Sequence, residues 1–174
     1  MVRSAAVILF SLAIVGQVGA RATDFLARFD GGIGVIPASV GAGPANGDGT
    51  LPNVRANVVR GVNPGNGPWR IAELRAEIDS FGNIDVRGRG LLLASGNSIG
   101  QNANQSVFAT LICEAAAPFV EHSTGTVALD ASGDFRITDT LSSAPSVCPS
   151  PVLLIRNAGG LWFAAGLPKV GDSQ

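Results

Sequence analysis

The chain has 174 residues with nearly balanced charge, 12 basic and 13 acidic side chains, and it carries one histidine, two cysteines and no tyrosine. That length suits one domain able to bury a sizeable core. The absence of a basic run removes the main electrostatic requirement for nucleic-acid binding, a single histidine beside two cysteines makes a metal cluster a poor fit, and no P-loop or dinucleotide fingerprint points to a bound cofactor.

Residues 1–20 read as a cleaved secretory signal peptide. Met1-Val2-Arg3 gives a positive start, Ala5 to Val15 an apolar run, and Val18-Gly19-Ala20 a small-residue cleavage site, with Ala20-Arg21-Ala22 offering a second one. A spanning helix needs about 20 apolar residues, and the run here is about half that. No cysteine follows either cleavage point, which argues against a lipid-anchored protein. The expected product is residues 21–174, secreted or periplasmic, with no integral membrane segment left after cleavage. In such a compartment Cys113 and Cys148 are expected to form a disulfide.

Phe25 to Ile36 alternates with period two, placing Phe25, Ala27, Phe29, Ile33 and Val35 on one face of a strand that Pro37 ends. Residues 38–53 form a long Gly/Pro-rich surface loop. A short strand fits Ala56 to Gly61. Trp69 to Asp79 supports a helical stripe as well as a strand. The strand is chosen because Asp79-Ser80-Phe81-Gly82-Asn83 reads as a turn and Ile84-Asp85-Val86-Arg87 alternates after it, completing a hairpin. That second strand is expected to run through Gly88 and Gly90 into Leu91-Leu92-Leu93. The turn pattern apolar-Asp-x-x-Gly-(Asn/Asp)-apolar returns at Leu129 to Phe135, which reads as a second hairpin using the same chemistry. Val107 to Glu114 is apolar almost throughout, the mark of a central strand, and Val152–Arg156 with Leu161–Ala165 forms a closing hairpin around Asn157-Ala158-Gly159-Gly160. The 23 glycines and 10 prolines punctuate this pattern. The expected fold is all-β, an antiparallel β-sandwich or small barrel of about nine short strands with one disulfide, in a single domain.

Reactive chemistry is thinly represented. His122 is the only imidazole; no Gly-x-Ser-x-Gly elbow accompanies it, and Ser123, adjacent on a strand, would point to the opposite face. Glu114 with Glu121, or Glu73 with Glu77, are the carboxylate pairs available for glycoside hydrolysis. The first brackets a loop at Ala115-Ala116-Ala117-Pro118, and the second forms an exposed ladder with Arg75. Trp69 and Trp162 read as core. Asn46-Gly47-Asp48-Gly49-Thr50 resembles a calcium loop only in passing, since it lacks the first acidic ligand and the closing glutamate. The amide-rich stretch Ser95 to Ser106 is the best binding candidate: Asn97, Gln101, Asn102, Asn104 and Gln105 can donate to and accept from a polar ligand or partner. The sequence thus favours a non-catalytic binding or structural module. The alternatives are a secreted hydrolase using His122 or Glu114/Glu121, and a β subunit of a surface assembly.

Overall fold

The computed structural model describes residues 24–39, 47 and 55–169. The signal segment, both cleavage points and most of the 38–53 loop, including all of the calcium-like stretch except Gly47, lie outside the described residues. Among the described residues there are thirteen strands: β1 (Phe25–Gly34), β2 (Ala38–Ser39), β3 (Arg55–Ala56), β4 (Trp69–Arg70), β5 (Glu73–Asp79), β6 (Asn83–Arg89), β7 (Leu92–Leu93), β8 (Ser106–Ile112), β9 (His122–Ser123), β10 (Val127–Ala128), β11 (Phe135–Thr140), β12 (Val152–Asn157) and β13 (Trp162–Pro168). No helix occurs among the described residues. The main sheet is antiparallel with strand order β10-β8-β12-β13-β1-β5-β6-β11, and β9 also pairs with β8. Two small sheets, β2–β3 and β4–β7, complete the fold.

The main sheet curls into a half-barrel. Its two ends approach each other where Gly125 N donates to Asp139 Oδ2 at 2.7 Å and Ser142 N donates to Ser123 O at 2.8 Å. Side-chain alternation fills the inside of the curl. Leu74, Ala76 and Ile78 of β5 lie in the core with Ile84 and Val86 of β6, while Phe135 and Ile137 come from β11 and Ala27 and Phe29 from β1. β8 and β12 are buried on both faces, so Thr110, Ile112 and Leu154 are as inaccessible as Ala109, Leu111 and Leu153. Burying each such leucine or isoleucine contributes about 1.5–3 kcal/mol. The apolar runs of these two strands, without alternation, follow from that double coverage.

The chain bonds to itself through three copies of one turn. Asp79 Oδ1 accepts from the backbone N–H of Phe81 and Asn83, while Gly82 N donates to Asp79 O. Asp130 Oδ1 accepts likewise from Ser132 and Asp134, with Gly133 N donating to Asp130 O. Asn157 repeats the scheme with Leu161 and Gly160. The glycines have φ of 82°, 77° and 83°, a region where a Cβ is strained. The third copy replaces aspartate by asparagine and was hidden by that change.

Four sequence expectations are modified by tertiary contacts. The Trp69–Asp79 strand is broken in two: Trp69 stacks on Phe163 with ring centroids 4.0 Å apart, holding β4 in the small sheet, and Ala72 is exposed instead of sharing the Leu74 face. The strand after the hairpin stops at Arg89, because Gly90, at φ 65°, redirects the chain so that Leu92–Leu93 pairs with β4. In β1 the register slips between Phe29 and Gly32, with Gly31 at φ 98°, and Ile33 turns outward to 53 % exposure. Pairing near Ala56–Gly61 covers only Arg55–Ala56; a tight Val59–Val62 turn follows, with Arg60 at φ 49°.

Candidate functional site

The outer faces of β1, β5, β6 and β11 carry the polar half of each alternation. Antiparallel register sets Arg28, Glu77, Asp85 and Thr138 in one cross-strand row and Asp30, Arg75, Arg87 and Arg136 in the next. Arg75, Arg87 and Arg136 therefore stand directly opposite one another on three adjacent strands. Like charges in that relation repel. Carboxylates in and beside the row hold them: Arg75 Nε lies 3.3 Å from both Asp30 and Glu73, and Asp85 accepts from Arg87 Nε at 3.2 Å and Arg136 Nη2 at 2.7 Å. The three arginine side chains remain 66 %, 65 % and 58 % exposed. A groove of about 400 Å³ that includes Arg28, Asp30, Glu77 and Lys169 runs along one flank, and a shallower one of about 340 Å³ with Arg89, Asp130 and Asp134 along the other.

Asp85 anchors this lattice. Partial burial opposes its ionisation, but hydrogen bonds from Arg136, Thr138 and Arg87 outweigh that and keep its carboxyl below the ordinary 3.8. Three other carboxyls shift in the same direction. Asp79 is lowered by the Asn83 side-chain hydrogen bond and by turn N–H groups, Asp139 by the backbone N–H of Gly125 and Thr140, and Glu114 by the Val120 N–H. A carboxyl lowered in the folded chain binds fewer protons than in the unfolded chain, so its contribution is present above the unfolded value and lost as pH falls through the folded one. The melting temperature is therefore expected to stay level from about pH 7 to about pH 5 and to decline below about pH 4. Circular-dichroism melts across that range check this; a flat profile down to about pH 3 contradicts it.

The residues singled out from sequence fall in separate places. Cys113 and Cys148 are joined, linking the end of β8 to the loop before β12. Within the amide-rich loop, Asn102 Nδ2 donates to the carbonyls of Leu129 and Asp130, Gln105 Nε2 donates to Ala103 O, and Gln105 Oε1 accepts from Asn157. These two amides hold the loop to neighbouring turns, whereas Asn97, Gln101 and Asn104 are exposed.

His122 is buried in β9, and its Nδ1 donates to the carbonyl oxygen of Ser143 while lying 3.0 Å from Ser143 Oγ. A nitrogen that donates to a carbonyl carries the hydrogen and is not available to accept the proton of Ser143. Ser123 Oγ bonds instead to Thr110 Oγ1. Glu114 accepts from Val120 N, whereas Glu121 pairs with Arg156, so the two carboxylates are committed to different partners. Glu73 and Glu77 take part in the outer lattice through Arg75, Arg89 and Arg28. Trp69 and Trp162 are core residues.

Two features escaped sequence reasoning. Arg156 is buried in β12, where it donates to Gly160 O, Thr110 Oγ1 and Glu121, with its guanidinium 5.2 Å from the Phe108 ring centroid. Its place in the run Val152-Leu153-Leu154-Ile155-Arg156 was the available signal. The arginine row was also missed. Each alternating charge was visible, but the register that aligns Arg75, Arg87 and Arg136 is a property of pairing. Among the described residues no helix is long and apolar enough to cross a membrane, and no group of histidine, cysteine and acidic side chains could hold a metal ion. Comparison with protein-family models, with curated proteins and with solved structures finds no match.

Proposed function

We propose that this chain is an exported, single-domain binding module that acts without catalysis and engages a charged ligand through the outer face of β1, β5, β6 and β11. The observation that carries this reading is the alignment of Arg75, Arg87 and Arg136 in one exposed cross-strand row. Such an arrangement costs like-charge repulsion in folding; the interleaved carboxylates offset it, and the exposed guanidinium donors that remain can take an anionic ligand. Support for export comes from the positive start, apolar run and small-residue cleavage sites of residues 1–22.

The binding face is tested with a panel of acidic, neutral and basic glycans and peptides. The protein is compared with a variant carrying Arg75→Ser, Arg87→Ser and Arg136→Ser and with one carrying Asn97→Ala, Gln101→Ala and Asn104→Ala. Binding lost only in the arginine variant supports the sheet face; binding lost only in the amide variant moves the site to the 95–106 loop. Turnover on glycan or ester substrates that disappears with His122→Ala would replace this reading by the hydrolase. N-terminal sequencing of material exported by the native host should begin at Arg21 or Thr23, and retention of Met1 removes the export proposal.

A further inference from the structure

Resting on that binding-face reading, we infer that the arginine row is a site for a linear polyuronate, an acidic polysaccharide with one carboxylate per sugar. Neighbouring strands lie about 4.8 Å apart, so guanidinium groups at register positions on β5, β6 and β11 repeat at about that interval across the sheet. A pyranose chain laid across the strands advances by a closely similar step per sugar. It can offer successive carboxylates to Arg75, Arg87 and Arg136.

The chemistry of each position fits. Arg87 donates to Asp85 through Nε and Arg136 through Nη2, and the closest ionic contacts of Arg75 are through Nε. A guanidinium carries five N–H donors, so the Nε contacts of Arg75 and Arg87 leave Nη donors for a further acceptor, on side chains about two-thirds exposed. A pair of guanidinium N–H groups binds a carboxylate in fork geometry, with two parallel charge-assisted hydrogen bonds.

The surroundings favour the same ligand. Arg28, Arg75, Arg87, Arg89, Arg136 and Lys169 line the two grooves, six of the ten basic side chains among the described residues. The carboxylates interleaved with them make the face nearly neutral, which disfavours non-specific capture of densely charged polymers and rewards a ligand whose charges match the row. The grooves' only aromatic members, Phe29 and Phe135, are buried in the core, and the nearby exposed ring of Phe25 is taken up by the Arg28 guanidinium, 4.7 Å from its centroid. Recognition here is by charge spacing.

Isothermal titration of the full exported chain with de-esterified polygalacturonate should show binding that weakens as salt rises from about 0.05 to about 0.3 M. The fully methyl-esterified polymer, with the same backbone and masked carboxylates, should not bind. Arg87→Ser, at the centre of the row, should weaken binding roughly tenfold or more, the equivalent of one charge-assisted contact. Arg70→Ser, exposed but off this face, should leave it within about twofold. Thermal melts confirm that each variant is folded, and Arg75→Ser with Arg136→Ser provides a second pair of probes should Arg87→Ser be unstable. Equal binding of acid and ester, indifference to both sets of arginine changes, or tighter binding of a single-stranded DNA of matched charge each overturns the polyuronate assignment. If some other member of the charged panel binds in an Arg87-dependent way, the ligand class fails while the binding face stands. If no ligand depends on Arg87 or its neighbours, both fail.

Discussion

Replacing Cys113 and Cys148 together by alanine is expected to lower the unfolding free energy by about 4 kcal/mol. The bond joins positions 35 apart in sequence, and loop-closure entropy for a loop of that size gives roughly this value. Topology gives the cross-link a further reach. The bridged segment contains β9 and β10, which pair with β8 near one end of the main sheet, and β11, which forms its other end. Both margins of the half-barrel therefore belong to a single loop tied at Cys113, and without the tie each margin loses its tether in the unfolded ensemble. Alanine is preferred to serine because Cys113 is buried and a hydroxyl there would need a partner. Urea titration should show a lower midpoint, with the slope rising if the unfolded chain expands. A loss below about 1 kcal/mol would mean that strain in the folded protein cancels the entropic gain.

Gly133→Ala is expected to cost about 3 kcal/mol, several times the cost of the same change at Gly160. Both glycines close copies of the same turn with φ near 80° and share the penalty of placing a Cβ in that region, about 1 kcal/mol. They differ in what the Cβ meets. At Gly160 the nearest atom is Arg156 Nη2 at 3.1 Å, a side-chain contact that a shift of a few tenths of an ångström relieves. At Gly133 a Cβ would stand 2.5 Å from the backbone oxygen of Leu91. That backbone is held in place, because Leu91 N donates to Gly133 O at 2.9 Å and Gly90 N donates to Asp134 Oδ1 at 2.9 Å. Relief of the clash would break this seam between the β10–β11 turn and the chain leaving β6. Chemical denaturation of the two single variants measures the difference directly, and equal losses would show that the seam yields without cost.

This pair of glycines marks how far sequence reasoning reached. The Asp-x-x-Gly turns at Asp79 and Asp130 were legible because their chemistry is local: an acidic side chain bonds backbone N–H groups two and four residues ahead. The β5–β6 and β12–β13 hairpins were legible for the same reason, as period-two alternation around a short turn. The breaks at Ile71–Ala72 and at Gly90 were not, since they arise when Trp69 stacks on Phe163 and β4 finds β7. The outward turn of Ile33 likewise follows from a register slip against β13 that the apolar pattern of Phe25 to Val35 does not record. Of the binding candidates, the sequence singled out the amide-rich loop by composition, and two of its amides, Asn102 and Gln105, serve the fold.

The sequence by itself determined that this protein is an antiparallel all-β chain with one possible disulfide, and which face of most strands is apolar. Those properties depend on residue type and short spacing. Only the tertiary structure decided the strand order, the curl, the burial of Arg156 between β8 and its hairpin turn, and the row formed by Arg75, Arg87 and Arg136. A charge on an alternating strand is the same letter whatever stands beside it. Its neighbour is set by cross-strand register, a long-range choice made by packing the apolar faces on the other side of the sheet.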